Sequence, residues 1–79
     1  MAKIDVKKLE RLDKRNNREH EEVRGTFTTF TYNGRRYFQI DTYGSNNREC
    51  TEKISQSLQI DEDSAKDLIR ILNREFGEE

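Results

Sequence analysis

The chain has 79 residues, of which 30% are hydrophobic and 39% charged, with no Trp and no Pro. This is enough for one small domain with a thin core, a size at which packing supplies only about 3–5 kcal/mol and partners or cross-links often add the rest. One Cys (Cys50) and one His (His20) exclude a disulfide framework and a structural zinc centre, and a formal net charge of -1 excludes a nucleic-acid-binding polycation.

Residues 1–22 read as a charged N-terminal arm. Asp5 is placed to cap a short helix that starts at Val6, and Val6, Leu9 and Leu12 trace a narrow apolar stripe at i, i+3, i+6. A helix so short is marginal alone and is expected to dock on the domain or on a second copy. Residues 16–22 contain no apolar side chain and read as a solvated linker.

Residues 23–79 read as a β-β-β-α domain. Residues 23–32 and 35–43 are rich in Thr, Phe and Tyr, the β-branched and aromatic types that suit a pleated surface. Asn33-Gly34 lies between them, and an Asn-Gly pair between two such runs is the strongest short-range hairpin signal, because a type I′ turn needs positive φ at both central residues. That turn fixes the register as Tyr32 opposite Arg35, Phe30 opposite Tyr37 and Phe27 opposite Ile40. Residues 44–52 are a loop by composition, and residues 53–60 alternate as a third strand. From Glu62 to Phe76, Ala65, Leu68, Ile69, Leu72 and Phe76 recur at helical spacing, with Asp61 as N-cap and Gly77 just past the end. The expected fold is α+β in the order α-β-β-β-α: a three-stranded antiparallel sheet, a C-terminal amphipathic helix on one face, and a short N-terminal helix.

The register separates two sheet faces. One carries Val23, Phe27, Phe38, Ile40, Ile54, Leu58 and Ile60, and with the helix stripe these are the expected core. The other carries Arg24, Phe30, Tyr32, Arg35, Tyr37, Gln39, Asp41 and Tyr43, with Ser55, Ser57 and Gln59 from the third strand. Aromatic rings among Arg, Gln and Thr suit stacking on bases or packing on a protein partner, and they also suit a cross-strand pair that only stabilises the hairpin. Arg24, Arg35 and Arg48 are placed to contact phosphate or carboxylate.

Catalysis finds no constellation. His20 stands in a charged run, Cys50 is flanked by Glu49, and no second His is present to activate a thiol. Asp41, Ser45, Asn47 and Glu49 set oxygens around Gly44 without the alternation of a calcium loop, so neither metal nor cofactor is expected. No apolar run approaches the ~20 residues of a membrane span, and no signal-peptide segment opens the chain, which reads as soluble and cytoplasmic.

The strings YFQIDTYGSNNR and ISQSLQIDEDSAKDLIRIL, within residues 37–76, resemble a small prokaryotic and phage-associated domain of poorly defined function with a Q-I-D-T-x-G-S-x-x-R segment and an S-Q-S-x-Q-x-D junction. Strands followed by a helix also resemble, in architecture, single-stranded-DNA-binding transcriptional coactivators and integrase-type DNA-binding domains. Their basic strand pattern is not reproduced here, and fold does not fix function.

The leading expectation is a non-enzymatic binding module that engages single-stranded nucleic acid, or a nucleic-acid-handling complex, through Arg24, Phe30, Tyr32, Arg35, Tyr37, Gln39, Tyr43 and Arg48. The alternative is a small phage or mobile-element protein that inhibits or regulates a host protein complex, such as a defence complex, by direct protein binding. It rests on the charge distribution: residues 61–79 hold 7 acidic and 3 basic side chains, and Asp61, Glu62, Asp63 and Asp67 would occupy a partner's basic groove. A second alternative is a self-associating structural domain, a homodimer.

Overall fold

The computed structural model describes residues 1–44 and 53–77. Their order is β1 (Ala2–Lys3), a single 3-10 turn (Val6–Lys8), β2 (Gly25–Tyr32), β3 (Arg35–Tyr43), β4 (Ile54–Asp61) and α1 (Glu62–Phe76). The strands make one mixed sheet in the order β1-β4-β3-β2, with β1 parallel to β4 and the other pairs antiparallel.

The hairpin forms as its turn residues dictate. Asn33 and Gly34 take φ of 54° and 73°, and the register pairs Tyr32 with Arg35, Phe30 with Tyr37 and Phe27 with Ile40. Helix α1 is likewise bounded by its caps. The Asp61 carboxylate accepts the Ser64 N–H at 2.9 Å, and Gly77, at φ 77°, returns its N–H to the Asn73 carbonyl at 2.9 Å.

The N-terminal region departs from the expected helix. Asp5 does cap a turn, accepting from Lys7 N–H, but the turn ends at Leu9 and residues 9–24 carry no helix or strand. The arm gains more by docking: Ala2 and Lys3 add a parallel edge strand to β4, the Ile4 N–H reaches the Gln59 carbonyl, and Val6 is buried against α1 with its N–H on Ser64 Oγ. The sheet is therefore mixed and four-stranded rather than antiparallel and three-stranded. Lys7 pairs with Asp67 at 3.2 Å and Arg11 with Glu75 at 2.6 Å, extending the arm along the helix.

The core is smaller than the sequence suggests. Among the described residues, Val6 and Ile60 are the buried apolar side chains, while Phe38, Ala65 and Leu68 are half-buried. Val23, Phe27, Ile40, Ile54, Leu58, Ile69, Leu72 and Phe76, all expected inside, are exposed. The cause is the placement of α1, which leaves the sheet at the end of β4 and has its flank taken by the arm. The radius of gyration is 14.9 Å, against about 12 Å for a compact chain of this length.

Candidate ligand face of the sheet

Phe30 on β2 and Tyr37 on β3 are direct cross-strand partners, with rings 5.3 Å apart and 12° from parallel. Lys3, brought in by β1, sets its Nζ 5.6 Å from the centre of the Tyr37 ring. Since β1, β4, β3 and β2 lie in that order, a cation and two rings follow one another across the sheet. Tyr32 and Arg35, the pair nearest the turn, stand beside this row, and Arg35 is held by Asp61 at 3.3 Å. Tyr32 is exposed and Phe30 is partly so.

A second aromatic and cation pair sits at the other end of β3. The Arg24 guanidinium carbon lies 4.4 Å from the centre of the Tyr43 ring, and the Tyr43 hydroxyl shares a 3.1 Å hydrogen bond with Thr26 Oγ1. Tyr37 and Tyr43 are six residues apart on one strand, roughly 20 Å at the usual rise.

Between the two clusters the face is polar and self-satisfied. Gln59 donates to Gln39 at 2.7 Å, Gln39 donates to Asp41 at 2.8 Å, and Ser57 donates to the same Asp41 oxygen at 2.5 Å. Asp41 is only 7% exposed. A buried carboxylate is tolerated because charge-assisted hydrogen bonds replace its water. Gln39 is thus committed within the sheet, and the face is two aromatic clusters around a closed hydrogen-bond network.

The sequence-predicted residues fall into three groups. Phe30, Tyr32, Arg35 and Tyr37 come together near the turn, Arg24 and Tyr43 meet at the far end, and Gln39 lies between them. Arg48, the other loop residues 45–52, among them Cys50 and the Ser45, Asn47 and Glu49 members of the oxygen set near Gly44, and Glu78 and Glu79 lie outside the described residues. Among the described residues no group of three or more His, Cys, Asp or Glu side chains gathers to hold a metal ion, and no helix is long and apolar enough to cross a membrane. Lys3 was missed by sequence reasoning because a two-residue edge strand has no periodicity to detect.

Of the four acidic residues at the helix start, Asp61, Glu62 and Asp67 are engaged internally, and Asp63 is exposed. Asp61 pairs with Arg35 at 3.3 Å, Glu62 with Arg36 at 3.6 Å and Lys66 at 3.7 Å, and Asp67 with Lys7 at 3.2 Å and Arg70 at 2.5 Å. The Ser64 N–H on Asp61 holds the Asp61 carboxyl below its ordinary value; desolvation opposes it, and the Arg35 guanidinium adds to the lowering. A basic partner would have to displace these cations.

Comparison with known protein families, curated proteins and solved structures finds no match to this chain.

Proposed function

We propose that this chain is a non-enzymatic binding module that takes single-stranded nucleic acid on the aromatic face of its sheet. The carrying observation is the row of Lys3, Tyr37 and Phe30: a stacked ring pair on a rigid hairpin with a cation at one end. A flat ring at the sheet edge offers a base a stacking surface whatever the base is, and Lys3 and Arg35 offer phosphate contacts beside it. The Arg24 and Tyr43 pair repeats the chemistry at the other end of the strand, so a strand of several nucleotides would touch both clusters.

Fluorescence anisotropy with a labelled oligothymidylate tests this reading. Phe30→Ala weakens binding by about 1–3 kcal/mol, the worth of one base stacked on a ring, and Tyr37→Ala, which removes the ring that backs Phe30, weakens it in the same direction. Affinity falls with salt at a logarithmic slope of about -0.7 for each phosphate neutralised, and the slope becomes shallower in Lys3→Ala. No binding at low salt, or binding indifferent to both ring substitutions, overturns the proposal. Recovery of a specific protein by the same face would replace it with the protein-partner reading.

A further inference from the structure

The face of the sheet opposite the aromatic row is left half-made. Phe27, Ile40 and Leu58 lie on it in register, with Thr29, Thr42 and Gln56 around them and no charged side chain among the six. The Phe27 and Phe38 rings stack diagonally there at 5.6 Å, yet Phe27 is 68% exposed. Helix α1 has the converse deficit. Ser64, Asp67 and Glu75 face the arm through their bonds to Val6, Lys7 and Arg11, while Ile69, Leu72 and Phe76 form a separate apolar stripe, and Phe76 is 81% exposed. One chain therefore carries a helix stripe that lacks a sheet and a sheet face that lacks a helix.

We propose that two copies of this chain associate about a two-fold axis, the α1 stripe of each lying on the uncovered sheet face of the other. Each surface is the complement that the other needs, so the contact is isologous and closes at two copies. The dimensions agree: a 15-residue helix is ~22 Å long and a nine-residue strand is ~30 Å. Exposed apolar area on the stripe and face together is roughly 600 Å² per protomer if a large side chain presents about 180 Å², giving a total near the ~1,200 Å² at which stable interfaces begin. An open depression of about 480 Å³, lined by Met1, Ala2, Ile40, Thr42, Gln56 and Leu58, lies on this face, and the partner's Phe76 is the side chain to fill it.

Sedimentation equilibrium on the full chain reads a mass twice 9.5 kDa, with a melting temperature that rises with protein concentration. Ile69→Asp combined with Phe76→Asp weakens the dimer at least tenfold; both side chains are already exposed, so far-UV circular dichroism remains that of the parent. Phe27→Thr, which keeps a β-branched residue in the strand, does the same from the sheet side. In a Cys50→Ser background, mixing Ala2→Cys with Phe76→Cys chains under oxidation yields a disulfide between the two different variants. A parent that is monomeric throughout, a folded variant that remains fully dimeric, or cross-linking of Phe76→Cys only to itself overturns the proposal.

Discussion

The backbone N–H of Val6 donates to Ser64 Oγ at 3.0 Å, joining the arm to the first turn of α1 across 58 residues of sequence. Val6 and Ser64 are both buried, so water does not replace this bond when it is lost. Ser64→Ala orphans the Val6 N–H and is expected to cost about 1–3 kcal/mol in urea unfolding. Ser64→Thr, which retains the hydroxyl, costs less. Equal losses for the two variants would show that packing, not the hydroxyl, holds the arm.

Asp61 makes the stability of the helix start depend on pH. Its carboxyl is held below the ordinary value of 3.8 in the folded chain, so folding favours the carboxylate. That stability is fully present above 3.8 and is lost as pH falls through the lowered folded value. Asp61→Asn keeps a capping oxygen without the charge. Urea unfolding of the two proteins should therefore differ at neutral pH and converge in acid, and a gap that persists unchanged in acid contradicts this origin.

Asp41 anchors the hydrogen bonds that link β3 to β4. Asp41→Ala leaves Ser57 and Gln39 donors without their acceptor inside the sheet and is expected to destabilise by about 1–3 kcal/mol. Asp41→Asn keeps one acceptor oxygen and should retain part of that stability. Denaturant midpoints of the two variants, compared at fixed pH, check the order.

Gly34 sits at φ 73° with open space where a Cβ would stand, so only its backbone conformation resists a side chain. Gly34→Ala is expected to cost about 1–2 kcal/mol, the penalty for a left-handed L-residue. Asn33→Gly, at φ 54°, should be close to neutral. A neutral Gly34→Ala in thermal unfolding would mean that the turn had rearranged.

The hairpin and α1 were legible because their information is local. Asn33-Gly34 sets a turn whose length fixes every pairing from Gly25 to Thr42, and Asp61 and Gly77 bound a helix by caps. The aromatic face of the sheet follows from that register, including the Phe30 and Tyr37 contact. What escaped is non-local. Strand β1 has two residues and no pattern, so Lys3 could not be set beside Tyr37 from sequence. The register shift between Thr42 and Tyr43 opposes Tyr43 to Ile54, which simple alternation along β4 does not foretell. The apolar residues of α1 and of the sheet have the right periods for one core, but periodicity says nothing about whether the two surfaces meet within one chain.

The pairs that fasten the arm, Val6 to Ser64, Lys7 to Asp67 and Arg11 to Glu75, are separated by 58 to 64 residues, whereas the hairpin closes over two. Loop-closure entropy orders these events. During synthesis the hairpin has its partner strands at hand before α1 exists, and the arm, although made before the hairpin, must wait for α1. The arm is then the last of these elements to be fixed, and the first that a protease should reach.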